Sequence, residues 1–253
     1  MGTNGYRSTD EAHALRVVAD SLARLSDEMR HEDPEQALRT LIGRGGQELV
    51  EARWASITIL RGGTFRTIAS TSPTADGVDR LQYDFGAGPC VDAVREDTMY
   101  LTGDVTAEER WQPLGKQLHA AYGVRSMLAY RLHLLDETAA IAGLNFSSDQ
   151  PDAFSPVDVQ RGKVLATHCA LLVSASLAQD KASNLFRALQ SNREIGVAVG
   201  VIMAHHHLTR DQAFDILRLA SQRTNRKLCD IAREVADTGA DPFDFSPEAL
   251  PYS

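Results

Sequence analysis

The polar segment SQRTNRK at 221–227 holds the side chains of this chain that are best suited to binding chemistry. It concentrates guanidinium, amide and hydroxyl groups, which can hydrogen-bond the splayed bases of an RNA loop. Arg218 precedes the segment by about one helical turn and shares a face with it. Arg226 and Lys227 open a further predicted helix, where free N–H groups and the helix dipole also favour phosphate. The segment predicts a nucleic-acid-binding surface; its alternative is a solvated face with helix-capping residues.

Charge is unevenly distributed along the chain. The 253 residues carry a net charge of −8, with a sequence pI near 5.5. From 183 to 227 the net charge is +4, which leaves −12 for the remainder. The seven positive side chains of this stretch are Arg187, Arg193, Arg210, Arg218, Arg223, Arg226 and Lys227. An acidic body with a basic C-terminal stretch fits a module that neutralises phosphates while the body stays off the nucleic acid.

Three consecutive histidines, His205, His206 and His207, form a second feature that could do chemistry. Consecutive helical positions cannot all face one ion, and no neighbouring carboxylate or cysteine completes a ligand set, so no metal site is predicted. The stretch instead predicts a helix end and a turn, with the histidines near the last carbonyl groups. The alternative is that one or more of them contact RNA phosphate or a base, more strongly as the pH falls.

No catalytic set emerges from the other reactive side chains. Neither a Ser/His/Asp nor a Cys/His arrangement has motif context, and no phosphate-binding glycine loop follows a strand. The three cysteines, Cys90, Cys169 and Cys229, are widely spaced, which argues against a disulfide framework or a structural zinc site. The sequence therefore predicts a protein that is not an enzyme.

Four residues could belong to a sensor site. Cys90 lies at a predicted helix start, where a thiolate is favoured, so it is either a redox or ligand-sensing group or a buried structural thiol. Met127, Tyr130 and Phe146 lie on predicted strands and either line a ligand cavity or form plain core. No cofactor is predicted beyond an unknown small-molecule ligand of this region.

The elements that position these residues follow from the hydrophobic pattern. Residues 1–9 are polar and predicted to be disordered, and apolar residues recur at helical spacing from Ala12. The next predicted elements are a helix at 34–50, a hairpin around 62–63, a loop at 71–80, a short helix at 91–97, a strand at 98–105, a helix at 108–122 and strands at 124–135 and 138–148. This order predicts an α+β domain, in which an antiparallel sheet is flanked by helices.

The long helix after the sheet carries a heptad pattern. It is predicted to begin with Ser155 as its N-cap and Pro156 in its first turn, and to extend to about Met203. An asparagine at one heptad position fixes register in two-stranded coils. The pattern predicts a parallel helical homodimer, and its alternative is packing of the same residues within the chain. The predicted dimer positions are Leu185, Ala188, Asn192, Ile195 and Val199.

Two shorter helices complete the chain. One is predicted to begin at Thr209, where Gln212 completes a capping box. The other is predicted from Asn225, a second capping residue, to Asp237. Residues 240–253 contain three prolines and no periodic pattern, so a flexible tail is predicted.

Residues 183–239 resemble an ANTAR domain, a three-helix RNA-binding module of bacterial antitermination regulators. The resemblance is carried by REIGVAVGVIM from Arg193, TRDQAFDILRLAS from Thr209 and NRKLCDIAREVA from Asn225. It departs at Val199, where many members carry a lysine, so that basic contact does not carry over. The resemblance implies paired stem-loops in mRNA leaders as the target, one for each subunit of a dimer. The predicted RNA-binding residues are Arg193, Arg218, Ser221, Gln222, Arg223, Asn225, Arg226 and Lys227.

Residues 31–178 resemble a GAF domain, a sensory fold with a central antiparallel sheet. The resemblance is carried by FGAGPC at 85–90, VRSMLAYRL at 124–132 and AGLNFSS at 142–148. With its preceding helices, the sensor domain is predicted over 10–178, and a long connecting helix over 164–204.

The two resemblances together predict a signal-responsive RNA-binding antiterminator. A signal at the sensor would change how the dimeric helix presents two RNA-binding modules. The alternative is a DNA-binding transcriptional regulator with a ligand- or redox-sensing domain, since short helices with arginines also suit a helix-turn-helix. The N-terminus has no signal-peptide core and no run reaches ~18 apolar residues, so a cytoplasmic protein without a membrane partner is predicted.

Overall fold

The computed structural model describes residues 33–50, 52–136, 138, 140–240 and 242. The predicted disordered N-terminus, the helix predicted from Ala12 and most of the predicted tail lie outside these residues. The chain divides into two units, Met1–Leu177 and Ala178–Ser253. No helix in the described part of the chain is long and apolar enough to span a membrane.

The first unit is built on an antiparallel sheet. Its strands are β1 (Trp54–Arg61), β2 (Thr64–Ser70), β3 (Met99–Thr102), β4 (Ser126–Leu132) and β5 (Ile141–Ser148). They are ordered β2-β1-β5-β4-β3, and every neighbouring pair is antiparallel. The predicted hairpin is confirmed, since Gly62 and Gly63 take φ of 56° and 80°, which glycine adopts without steric cost.

Helices cover both faces of this sheet. They are α1 (Pro34–Val50), α2 (Pro73–Phe85), α3 (Pro89–Glu96), α4 (Leu114–Tyr122) and α5 (Pro156–His206), with a 3-10 turn at Glu109–Trp111. On one face, residues of α1 and α5 such as Leu41 and Leu165 share a buried core with Phe146. On the other, Val78 of α2 and Leu118 of α4 share a core with Met127. The α+β prediction is confirmed.

Two predictions in this unit are wrong. The loop predicted at 71–80 is instead the first part of α2, which Ser72 caps by accepting a hydrogen bond from the Ala75 N–H at 3.3 Å. Gly77 lies inside this helix against the Tyr122 ring, which an added Cβ would approach to 2.5 Å. The helix predicted at 108–122 is broken at Pro113, because proline disfavours helical backbone in the residue before it.

The described residues of the second unit form three helices, namely the C-terminal part of α5, α6 (Arg210–Thr224) and α7 (Leu228–Thr238). The predicted capping box is confirmed. The Thr209 hydroxyl accepts from the Gln212 N–H at 3.4 Å, and the Gln212 side-chain oxygen accepts from the Thr209 N–H at 3.0 Å. The helices bury a common core formed by Ala198, Val199, Ile202, Ala213, Leu217, Ala220, Ile231, Ala232 and Val235.

The ends of these helices confirm one prediction and correct another. The histidine stretch is a helix end and turn, because α5 stops at His206 and His207 takes a φ of 53°. Asn225 was predicted to cap the last helix, but it ends α6 with a left-handed φ of 52°, and α7 begins at Leu228 with Lys227 as N-cap. Asparagine tolerates the left-handed region better than most residues, which suits it to this C-cap position.

Candidate functional site

The predicted RNA-binding residues gather where α6 meets α7. Gln222 and Arg223 are exposed in the last turn of α6, and Asn225–Lys227 form the exposed turn that follows. The Ser221 hydroxyl donates to the Arg226 carbonyl at 2.6 Å, which fixes the turn against the helix. The structure thus brings six of the eight predicted residues into one short surface segment, with Arg218 one turn away on the same helix.

Two arginines of this surface are paired within the chain. Arg218 contacts Asp215 at 3.0 Å, and Arg226 contacts Glu234 of α7 at 2.7 Å. Both pairs are well exposed to solvent, so they contribute little to stability and can exchange for phosphate. An anion that binds either arginine must displace this carboxylate, which reduces the net gain from the contact.

Lys227 and Arg193 are different, because neither side chain has a hydrogen-bond or ion-pair partner within the described residues. Lys227 is the N-cap residue of α7, and no side chain caps this helix. The free N–H groups of the first turn therefore follow directly after Lys227, and both they and its ammonium favour an anion. Arg193 lies on α5 rather than at the α6–α7 turn. It is exposed, and it directly precedes Glu194, which is bound to α7.

The residue that makes this last contact is Arg233, which sequence reasoning missed. Its guanidinium donates to both carboxylate oxygens of Glu194 at 3.1 Å and so ties α7 to α5. The hydrogen bonds from Arg233 lower the pKa of Glu194. In the sequence, only the position of Glu194 just before the core residues of α5 pointed to this ion pair. Ion pairs between helices leave no periodic pattern by which the partner could be predicted.

The four predicted sensor residues do not line one cavity. Met127 and Tyr130 differ by three positions on β4, so their side chains lie on opposite faces of the sheet. Tyr130 contacts Phe146 edge-on at 6.3 Å on the face covered by α1 and α5, and its hydroxyl donates to the Val159 carbonyl at 2.7 Å. Met127 and Cys90 lie on the other face. Tyr130 and Phe146 are therefore core residues of the first unit.

The face that carries Cys90 holds a buried polar cluster that sequence reasoning did not assemble. We call Thr58, Thr67, Asp79, Tyr83, Cys90 and Asn145 the polar cluster. The Asp79 carboxylate accepts from Thr67 at 2.8 Å and from the Asn145 amide at 3.2 Å. The Tyr83 hydroxyl is bonded to Thr58 at 2.7 Å and to Thr67 at 2.9 Å. The Cys90 thiol lies 3.3 Å from the Thr58 hydroxyl.

Electrostatics in the polar cluster are set by burial. No cationic side chain is among the contacts of Asp79 in the described chain, and burial raises its pKa to about 6 although hydrogen bonds from Ser56 and Thr67 oppose this. Burial also raises the pKa of Cys90 and of Tyr83 well above their usual values. The burial of Cys90 and its raised pKa favour the buried structural thiol over a reactive thiolate. The Asn145 side-chain oxygen is buried without a partner.

The predicted dimer positions divide into two groups. Leu185, Ala188 and Asn192 are exposed on α5. Ile195 packs against the core of the second unit, and Val199 is part of that core. Val199 is thus accounted for by packing within the chain, which was the alternative to the dimer.

Comparison with known proteins identifies both units. Residues 31–174 match the family model of a GAF domain, and residues 183–235 match that of an ANTAR domain. The chain belongs to the GAF domain family and has the GAF–ANTAR architecture, which is typical of regulators. In general terms, this architecture is that of a sensor-regulated RNA-binding antiterminator.

Several solved structures are similar to the chain. One is free methionine-R-sulfoxide reductase from Neisseria meningitidis, with 16% identity over 64% of this chain and 91% of that chain, at a TM-score of 0.49. Another is the GAF domain of a phosphoenolpyruvate-protein phosphotransferase from Coxiella burnetii, with 17% identity over 69% and 98%, at 0.48. The LuxR family factor CepR2 from Burkholderia cenocepacia has 15% identity over 66% and 99%, at 0.49. No curated protein matches the chain.

Proposed function

We propose that this protein is a signal-responsive transcription antiterminator that binds stem-loops in nascent mRNA through the surface at the α6–α7 turn. The observation that supports this most is the gathering of exposed amide, guanidinium and ammonium groups in Gln222–Lys227, within the stretch that matches the ANTAR domain. These groups can hydrogen-bond unpaired loop bases, while the Lys227 ammonium and the N–H groups in the first turn of α7 bind backbone phosphate. The protein acts by binding rather than by catalysis.

Lys227→Ala provides the first test of this surface. Because Lys227 has no carboxylate partner in the described chain, its loss should weaken hairpin binding uniformly across loop sequences and reduce the salt slope by about one. Arg226→Ala should have a smaller effect, because Arg226 already shares its charge with Glu234. Lys116→Ala is the matched control, since Lys116 is exposed on α4 of the first unit. Unchanged hairpin affinity in both α6–α7 variants would overturn the assignment.

The signal is proposed to act on the GAF unit through the polar cluster. Hydrogen bonds join the Asp79 carboxylate to Thr58 of β1, Thr67 of β2 and Asn145 of β5. A change in the protonation or the partners of Asp79 therefore alters contacts to all three strands. A bound small molecule that favours one arrangement of these strands would shift the population of α5 pairings and thereby the presentation of two RNA-binding modules.

A remote substitution tests this coupling. Asp79→Asn in the full chain should change the Kd for a hairpin although the residue lies outside the RNA-binding unit. Asp84→Asn, on the exposed side of the same helix, should leave the Kd unchanged. Equal hairpin affinities for wild type and Asp79→Asn at pH 6 and pH 8 would refute a role of the polar cluster in signalling, while leaving RNA binding itself standing.

A further inference from the structure

The core of the second unit gives its helices little to interlock with. The nine buried residues that form this core in the described chain are all apolar, and four of them are alanines, namely Ala198 of α5, Ala213 and Ala220 of α6 and Ala232 of α7. Methyl groups interdigitate less than larger side chains do, and a core of approximate complementarity folds without holding one arrangement uniquely. The orientation of α7 on α5 therefore depends also on contacts outside this core.

One such contact is the ion pair between Arg233 of α7 and Glu194 of α5. The Arg233 Nε and Nη2 groups each donate to a different carboxylate oxygen of Glu194, both at 3.1 Å. Gln190, one turn earlier on α5, also donates to Glu194 at 3.4 Å. The Glu194 side chain is only 15% exposed, so this carboxylate is largely sheltered from water. A two-point contact between planar groups fixes the relative orientation of two helices as well as their distance.

The residue after Arg233 links α7 to the α6–α7 turn. Glu234 accepts from the Arg226 guanidinium at 2.7 Å, and the Arg226 carbonyl accepts from Ser221 near the end of α6. Adjacent residues of α7 thus bind α5 and the turn. Arg233 lies about 8 Å along the helix from Leu228, where the free N–H groups of α7 begin. A rotation of α7 on α5 would therefore move both the turn and these N–H groups.

We propose that Arg233 is a positioning residue for RNA binding, which acts through Glu194 to hold α7 so that the α6–α7 turn meets the bases of a hairpin loop in the correct orientation. Base recognition requires hydrogen bonds of defined direction, whereas the attraction to phosphate tolerates small displacements. Loss of the ion pair should therefore reduce the discrimination between loop sequences more than the overall attraction to RNA. This inference rests on the proposed function and assigns to it two residues that do not contact the RNA.

Exchange of the two charges in the full chain provides the test. Arg233→Glu and Glu194→Arg each replace the ion pair by two like charges, and the double variant restores the pair in the opposite direction. The probes are a hairpin selected for wild-type binding from a pool with random loops, and the same stem with a scrambled loop. Each single variant should lower the ratio of the two Kd values about three- to fivefold, as expected for a partly exposed ion pair, and the double variant should recover most of this loss.

The same variants separate positioning from direct contact with phosphate. Glu194→Arg makes the module more positive, so electrostatic attraction alone would tighten RNA binding and steepen its salt dependence. If Arg233 itself binds phosphate, Arg233→Glu weakens binding of both hairpins, Glu194→Arg weakens neither, and the double variant recovers nothing. This pattern overturns the proposal. Arg233→Lys keeps the positive charge without the two-point contact, so it should retain the salt slope and lose part of the discrimination.

A purely structural role of the ion pair gives a third result. If the pair only keeps the module folded, its loss lowers the fraction of binding-competent protein and raises both Kd values by the same factor. An unchanged ratio in Arg233→Glu and Glu194→Arg therefore overturns the proposal, whatever the stability of the variants. Glu35→Arg and Arg39→Glu, which disrupt an ion pair within α1, are the matched controls and should keep the wild-type ratio. A wild-type protein that binds both hairpins equally, with no effect of Lys227→Ala, refutes the proposed function itself.

Discussion

The two units of this protein place their polar groups in opposite ways. The GAF unit buries Asp79, Thr58 and Asn145 between a sheet and a helix, where each depends on the others for hydrogen bonds. Among its described residues, the ANTAR unit buries only apolar side chains in its core and presents arginine, lysine and amide groups at its surface. Buried polar groups are sensitive to a proton or a ligand, whereas exposed ones are available to a large polyanion. Under the proposed function, the buried groups of the GAF unit receive the signal and the exposed groups of the ANTAR unit bind RNA.

The largest expected effect comes from the apolar side of the GAF sheet. Phe146→Ala removes a fully buried ring that contacts Tyr130, and it should lower the free energy of unfolding by roughly 3–5 kcal/mol. Both tryptophans, Trp54 and Trp111, lie in this unit, so fluorescence-monitored urea unfolding reports on it alone. A loss below 1 kcal/mol would show that the site collapses easily and that this face is not the rigid side of the sensor.

The second prediction concerns the polar side of the same sheet, where a substitution should raise the free energy of unfolding instead of lowering it. Burial raises the pKa of Asp79 in the folded protein from the ordinary 3.8 to about 6. Its contribution to stability is therefore complete below about pH 4 and is lost as the pH rises through 6. Asp79→Asn should stabilise the GAF unit at pH 8 by up to about 3 kcal/mol, which corresponds to roughly two pKa units.

Urea unfolding at pH 4.5 and pH 8 measures this difference. The gain from Asp79→Asn should shrink strongly at the lower pH, where wild-type Asp79 is protonated. Destabilisation at pH 8, or the same change at both values, would contradict a buried and uncompensated carboxylate. Asp84→Asn again provides the exposed control.

A smaller effect is expected in the ANTAR unit, where the polar groups are local caps. Thr209→Ala removes the hydroxyl that accepts from the Gln212 N–H, while the backbone N–H at 209 can still donate to the Gln212 side chain, and it should cost about 1 kcal/mol. Faster hydrogen exchange of the α6 amides, with unchanged exchange in the GAF unit, is the expected readout. An equal increase in both units would show that they do not unfold separately.

Local signals in the sequence were sufficient for much of this fold. The capping residues Ser155 and Thr209 predicted two helix starts, because a cap depends on neighbours three residues away. The prediction for Asn225 was wrong because asparagine is favourable at both ends of a helix. Only its left-handed backbone shows that it ends α6 rather than beginning α7. The packing of Gly77 against the Tyr122 ring could not be predicted from the sequence, because the ring belongs to a distant segment.

The candidate sites were predictable to different degrees. The proposed RNA-binding surface is a contiguous segment, so its residue types stand out in the sequence. The polar cluster joins β1, β2, α2, α3 and β5, and no spacing rule connects Thr58 to Asn145, 87 positions later. Val199, one of the predicted dimer positions, is buried within the second unit, because a heptad count cannot tell which apolar positions the chain uses for its own core.

The most direct measurement of the central claim is the binding of a fluorescent RNA hairpin to the full chain in a competition series. The account predicts that unlabelled hairpin displaces it, that a hairpin with a scrambled loop does so less well, and that duplex DNA of equal charge does so only at low salt. Displacement by duplex DNA as effective as that by the cognate hairpin, at physiological salt, would contradict RNA recognition at the α6–α7 turn and favour the DNA-binding alternative.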